Sequence, residues 1–391
     1  MFLLAVHEGV MIKKKYLLSP GPTPIPEGVL KAAAQPIMHH RTEEFSAILL
    51  ETTEGIKDIF QTENDAFILT SSGSGAMEAA VVNALSPGDL AITINGGKFG
   101  GRWSEICHAY GVNVHEISLD WGEDFPKHRL AEELEAHPEA KAVFSTLTET
   151  STGTVFDIQG YGELISETRS ILVVDGISGI GATPCPMDEW NIDVLISGSQ
   201  KSFMTPPGLA YISFSPKAWQ FVDKSSLPKF YFDAKAAKKS LERKTTPWTP
   251  SISLIIQQKE ALRIIENIGL ENLIAHHRIL GNATRAGVEA LGLELLSKRP
   301  ANILTAVKIP AKIDGIRLLK AMQDKYNVYV AGAQEPHKGE FIRIAHLGYM
   351  GGFDVITALS ALEMSLSDLH YKVPEGASIK AAQNILKENW E

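Results

Sequence analysis

The sequence predicts an α/β protein: a large domain on a mainly parallel, mixed sheet covered by helices, followed by a smaller C-terminal α+β domain. Three observations carry that prediction. Six short apolar runs, at residues 66–70, 90–94, 142–146, 171–175, 193–197 and 209–214, are nearly continuous in hydrophobicity, as strands buried on both faces are. Helical or turn segments separate them. Beyond Gly269 the pattern changes to shorter strands alternating with helices, at residues 303–307, 328–330 and 341–344. The large domain is therefore set at residues 17–274 and the small one at 275–391.

The elements before the first strand follow in order. Residues 1–16 read as an N-terminal arm, and the first ten as a loose extension or the product of an upstream start, since Met11 opens a new polar stretch. No basic segment precedes the apolar run Phe2-Leu-Leu-Ala-Val, and His7 and Glu8 end it, so it does not read as a signal peptide. Leu18-Ser-Pro-Gly-Pro-Thr-Pro-Ile-Pro is too rich in proline for helix and reads as a rigid extended loop. From Glu43 onward, Phe45, Ile48, Leu49, Thr52, Ile56, Ile59 and Phe60 recur at helical spacing, which predicts a long amphipathic helix. Residues 224–250 are polar and irregular, and their lysines read as solvated surface. A further helix is expected over residues 253–267.

Composition sets limits on function. With 37 basic and 46 acidic side chains the net charge is −9, which argues against a nucleic-acid or anionic-membrane partner. No apolar stretch is long enough to span a bilayer. Two distant cysteines, Cys107 and Cys185, exclude a zinc ribbon or an iron–sulfur cluster and point to a reducing, cytoplasmic setting. No metal is expected at His39-His40-Arg41 either. Adjacent histidines in an extended segment point to opposite sides, so this reads as a loop lining an entrance or a subunit interface.

Three segments carry chemistry. Thr70-Ser-Ser-Gly-Ser-Gly leads from a strand into a helix, where backbone N–H groups and hydroxyls can converge on a phosphate. Asp175 ends a buried strand, the edge at which sites form in open α/β sheets. Lys201 follows another apolar strand and precedes a Pro-Pro-Gly turn, a constrained setting in which a desolvated amine can form a Schiff base.

The order Ser72-Gly-Ser-Gly-Ala-Met-Glu, Gly96-Gly-Lys-Phe-Gly-Gly-Arg-Trp, Glu149-Thr-Ser-Thr-Gly, Val174-Asp-Gly and Ser197-Gly-Ser-Gln-Lys resembles the class V aminotransferases. Pro20-Gly-Pro-Thr precedes these motifs and Phe341-Ile-Arg-Ile follows them. The likeness is strongest to the serine– and alanine–glyoxylate aminotransferase branch, and it runs from Leu17 to the end of the chain. It implies fold type I, a transaminase and pyridoxal 5'-phosphate as cofactor. Lys201 would carry the cofactor and shuttle the substrate proton, and Asp175 would hold the pyridine nitrogen protonated. Ser72, Gly73, Ser74 and Gln200 would form the phosphate cup. Phe99 would stack on the ring, in place of the Trp of some relatives. Thr150 would meet the phenolic oxygen or the substrate, and Gly21 would lie close over the substrate. Arg343 would clamp the substrate carboxylate. Thr245, Thr246 or Thr249 would reach the neighbouring subunit's phosphate, with Thr246 placed in the site, although Trp248 stands where an ungapped match expects threonine. The working unit would then be a homodimer with composite sites.

Within this resemblance the expected reaction moves the amino group of alanine or serine to glyoxylate or pyruvate. The alternatives are an (S)-ureidoglycine–glyoxylate aminotransferase and, from a different class, a non-catalytic hydrogenase-associated subunit, a label found in the same branch. A cysteine desulfurase would need a cysteine on a mobile loop, which neither Cys107 nor Cys185 offers.

Overall fold

The structure, a computed structural model, describes residues 14–390. The expectation about residues 1–10 lies outside them. The central sheet has seven strands in the order Ala66–Leu69, Ala210–Phe214, Val194–Gly198, Ile171–Asp175, Ala142–Thr146, Leu90–Asn95 and Asn113–Ser118. Neighbours run parallel except at Ala210–Phe214, which is antiparallel to both strands beside it. All six apolar runs are in this sheet. Side chains alternate between its faces, and both faces are buried: Val143, Leu172, Val174 and Leu195 enter one core, while Phe144, Val173, Val194 and Ile196 enter the other.

The seventh strand, Asn113–Ser118, was not expected. Only Ile117 of its six residues is buried, because it is an edge strand carrying polar side chains, and such a strand lacks the apolar run that marks the central ones.

The helix Glu43–Phe60 starts and ends where the spacing places it, and the Thr42 hydroxyl caps it by accepting from Phe45 N at 3.3 Å. The helix expected at 253–267 spans Ile252–Ile268 and shares a core with Glu43–Phe60. Residues 224–250 are less irregular than expected, for they contain the helix Ala234–Leu241, capped by Asp233. Its lysines are only partly free: Lys235 pairs with Asp223 at 3.1 Å and Lys238 lies 4.5 Å from the Trp219 ring centre.

A third core lies around a three-stranded antiparallel sheet with Phe341–Ala345 between Leu304–Lys308 and Ala331–Gly332. Helices Leu270–Ala290, Gly352–Asp368 and Ala377–Glu388 pack on it. Residue 275 falls inside the first of these helices. The chain's beginning joins the same core: Tyr16–Leu17 pairs in parallel with Val328–Tyr329, and Leu18 is buried there, its carbonyl accepting from Ala345 N at 3.1 Å. No described helix is long and apolar enough to cross a membrane.

Candidate active site

Asp175 and Lys201 follow from neighbouring parallel strands, Ile171–Asp175 and Val194–Gly198, at their C-terminal ends. Both are buried. Burial pushes the Asp175 carboxyl up to about 7; the Ile177 N–H, donating to its Oδ1 at 2.8 Å, opposes this, Glu149 adds to it, and Arg102 and Lys201 oppose it. Burial likewise pushes the Lys201 amine down to about 8, with Asp175 opposing and Arg343 adding. A lysine near 8 has a usable neutral fraction at neutral pH, as a base or nucleophile requires.

The proline-rich segment lies over this lysine. Lys201 Nζ donates to the Pro20 carbonyl. Thr23 N donates to Gln200 O at 3.2 Å, and the Thr23 hydroxyl donates to Lys201 O at 3.2 Å. A Cβ on Gly21 would stand 2.5 Å from Lys201 Nζ and push the amine aside, and its φ of +142° is one that favours glycine. On the far side Gly348 N donates to His277 Nε2 at 3.0 Å, while His277 Nδ1 faces Gly181 O at 3.1 Å. The Nε2 that accepts must be unprotonated, so this imidazole is neutral with its proton on Nδ1. Burial pushes its pKa down to about 4.

Ser72 precedes the helix Gly73–Ala84 and makes no side-chain cap; Gly75 N donates to Ser72 O at 2.9 Å, and the N–H groups of Gly73 and Ser74 ahead of it are placed to meet an anion. A Cβ on Gly73 would come within 2.4 Å of Ile177 Cδ1, which brings this turn against the residue that bonds Asp175. One on Gly198 would lie 3.2 Å from Gln200 Oε1 and 3.7 Å from Gly73 N. Gln200 Oε1 is buried without a hydrogen-bond partner, which places an unsatisfied amide oxygen beside the helix start. Ser74 Oγ accepts from Arg102 Nη1 at 3.1 Å, and the Arg102 guanidinium sits 4.9 Å from the centre of the Phe99 ring.

Phe99 is the second residue of the helix Lys98–Ala109, and Glu149 fixes it there. The buried Glu149 carboxylate accepts from Phe99 N at 3.2 Å, Gly100 N at 2.8 Å and Ser151 N at 3.0 Å. A carboxylate at a helix N-terminus is favoured by the dipole as well as by these bonds. Thr150 follows directly. Its hydroxyl contacts Ser178 Oγ, three residues beyond Asp175, and its carbonyl accepts from Arg343 Nη1 at 2.9 Å. Arg343, in the middle strand of the small sheet, also gives Nε and Nη2 to Gly332 O at 3.2 and 2.8 Å. Those bonds use three of its five N–H donors, so one remains on each terminal nitrogen, the fork that a carboxylate accepts. Burial pushes Arg343 down to about 10, opposed by Glu149.

Thr246 is the sequence candidate that does not join this cluster within one chain. Its hydroxyl donates to Trp248 O at 2.7 Å, and its carbonyl accepts from Arg41 Nη1 at 2.7 Å. Thr245 also accepts from Arg41. The structure corrects the expectation for His39 and His40. Their rings stack 4.8 Å apart, because residues 39–42 form a turn closed by Thr42 N on His39 O at 3.2 Å, and strand alternation does not apply to a turn.

Sequence reasoning passed over Glu149, Arg102, Ser178 and His277. Glu149 and Arg102 lie inside motifs, but Glu149 accepts from the backbone N–H groups of Phe99 and Gly100 and Arg102 donates to the Ser74 hydroxyl, partners in other motifs that no spacing reveals.

A sheet of this topology with a buried lysine and aspartate beyond its strand ends defines a fold type I pyridoxal-phosphate enzyme. The model of the family "Aminotransferase class-V" matches residues 15–333, and the chain belongs to that family of pyridoxal-phosphate-dependent transaminases. The chain is 40% identical over 384 residues to the small subunit of a soluble hydrogenase of Synechococcus sp., covering 96% of this chain and 99% of that one. It is 34% identical to the L-aspartate–glyoxylate aminotransferase of Paracoccus denitrificans, with 97% and 98% covered. Among solved structures, the ureidoglycine–glyoxylate aminotransferase of Bacillus subtilis superposes with a TM-score of 0.92 at 27% identity, over 97% of this chain and 99% of that one. The residues present suit the family's cofactor: N–H groups at a helix N-terminus for the phosphate, and a carboxyl that burial raises to about 7 and that a ring N–H could pair with.

Proposed function

We propose that this chain transfers the amino group of a small amino acid, alanine or serine, to glyoxylate or pyruvate. The observation that carries the reading is the buried trio of Lys201, Asp175 and Arg343, one base, one acid and one carboxylate fork. A donor with one carboxylate and an uncharged side chain fits that set. The names of two relatives share glyoxylate as acceptor. They differ in donor, and (S)-ureidoglycine is the second reading, supported by the 0.92 superposition.

Pyridoxal 5'-phosphate supplies an electron sink and an aldehyde carbon that receives the amino group. Ser72, Gly73, Ser74 and Gln200 would hold its phosphate, Phe99 its ring face and Thr150 its phenolic oxygen. Asp175 would hold the ring nitrogen's proton, an ion pair that offsets the cost of burying its charge. Lys201 would hold the aldehyde carbon. With a donor bound, Lys201 Nζ takes the proton from the donor's α-carbon, and in the return half-reaction it delivers one to the α-carbon of the 2-oxo acid. Arg343 orients both substrates by the carboxylate, and Gly21 keeps the approach to Lys201 clear. Thr246 would serve the site of a partner subunit, with Arg41 holding its loop, in a homodimer of composite sites; a cytoplasmic setting accords with the two free thiols.

Lys201 and Asp175 together favour retained chemistry over a purely structural hydrogenase-associated role. Desulfurase chemistry is disfavoured by burial, which pushes the Cys107 thiol up to about 12 and Cys185 further. The test is a spectral screen of half-reactions: protein loaded with the cofactor should be yellow, and alanine or serine should shift its band. Glyoxylate, pyruvate and 2-oxoglutarate are then compared as acceptors. Protein that stays colourless with added cofactor would sink the reading, and a band shifted only by ureidoglycine or aspartate would replace the donor.

A further inference from the structure

His115, Glu133 and His137 come together at the edge of the central sheet opposite Ala66–Leu69. His115 stands on the edge strand Asn113–Ser118. Glu133 lies in the helix Lys127–Ala136, and His137 caps that helix, its N–H donating to Glu133 O at 3.0 Å. That bond continues the last turn, so residues i and i+4 share one face. His115 Nε2 lies 2.8 Å from Glu133 Oε2, and the two imidazole centres are 4.1 Å apart. One ligand atom from each of the three residues lies within 4.8 Å of the other two. Each side chain is part-exposed, so an ion has access without unfolding.

We propose that these three residues form a binding site for a divalent transition-metal ion of the zinc type, separate from the transaminase site. Two imidazoles and a carboxylate are ligands such ions accept, and three protein ligands leave a fourth position for water. At metal–ligand distances of about 2.1 Å, tetrahedral ligands stand about 3.4 Å apart. The separations in the structure bracket that value, so side-chain rotation closes the site. His137 Nδ1 also lies 3.8 Å from Glu139 Oε1, a carboxylate placed to orient the imidazole from outside. The strand is three places from Ile171–Asp175 in the sheet, about 14 Å at the usual strand spacing. Its role is a clip: a bound ion joins an exposed edge strand to the helix that follows it, adding a cross-link where the sheet has no further neighbour.

Untagged, cofactor-loaded protein is titrated with Co2+, whose visible d–d bands report coordination, and Zn2+ is then added in competition. The expected result is one Co2+ per chain, displaced by Zn2+, and a higher unfolding temperature with Zn2+. Losing an outer-shell partner weakens metal binding about 10- to 100-fold, so losing a ligand through His115→Ala or His137→Ala should cost about 100-fold or more. Glu133→Gln, which keeps the shape, should weaken it as well, and transaminase turnover should be unchanged in all three. Absence of d–d bands, or binding unaltered by the three substitutions, overturns the proposal.

Discussion

The ammonium of Lys201 donates a hydrogen bond to the backbone carbonyl of Pro20, so a proline-rich loop from the start of the chain closes over the candidate catalytic amine. The next residue, Gly21, has φ +142° and no room for a Cβ, which would meet Lys201 Nζ, Cε and Cδ at 2.5 to 2.8 Å. Gly21→Ala should therefore fold but displace either the loop or the lysine. We expect turnover to fall by about 100-fold, the scale of losing a positioned base. Cofactor absorbance and kcat read this, with circular dichroism as the control; an alanine variant with normal turnover would show that the loop yields freely.

Asp175 makes the cofactor-free protein sensitive to pH. Its carboxyl is raised from 3.8 to about 7, so between those values the native state binds more protons than the unfolded chain. The stability this contributes is present at low pH and is lost as pH rises through about 7. Thermal unfolding between about pH 5 and 8 should show that fall, Asp175→Asn should flatten it, and added pyridoxal 5'-phosphate should reverse it by supplying a cationic partner. Asp175→Asn should also cost transamination rate, since a neutral amide cannot hold a proton on the ring nitrogen.

His277 and His346 act in the opposite sense. Burial depresses them to about 4 and about 3 from 6.5, and His346 Nδ1 and Nε2 face Asn302 O and Thr305 Oγ1 at 2.8 and 3.0 Å. Their contribution is complete above about 6.5 and is lost as pH falls through the folded-state values. A steep acid limb in urea denaturation below about pH 6 is expected, and His277→Gln, which has no charged form to take up, should make it shallower.

Arg343→Lys keeps the charge and removes the fork. A hydrogen bond to a charged group contributes about 1.5 to 3 kcal/mol, so kcat/KM for alanine or serine should fall about 10- to 100-fold. The cofactor should still bind, because the guanidinium bonds Thr150 O and Gly332 O rather than the residues of the phosphate turn. Equal losses for an amine donor that lacks a carboxylate would refute the clamp.

The central sheet was legible because its inner strands are buried on both faces, and a run such as Ile171-Leu-Val-Val-Asp has few other uses. Asn113–Ser118 was not, because an edge strand answers to solvent on one side and its sequence resembles a loop. Lys201 and Asp175 stood out as candidates by their places at strand ends, and Arg343 through the resemblance to the aminotransferases. Glu149 was missed although it is buried, since its partners are the N–H groups of Phe99, Gly100 and Ser151, and backbone donors leave no mark on side-chain pattern. The stacking of His39 on His40 likewise follows from a local turn that alternation does not describe.

The pairing of Tyr16–Leu17 with Val328–Tyr329 gives the chain's beginning a mechanical meaning. Leu18 is bonded to Tyr329 and Ala345, and Thr23 is bonded to Gln200 and Lys201, so residues 18–23 form a short tether with one end on each side. Six residues of proline-rich backbone have little slack. A shift of the Arg343 strand against the central sheet, as a substrate carboxylate draws on the guanidinium, would pull this tether and alter the reach of the Lys201 amine, linking carboxylate capture to the base through the backbone alone.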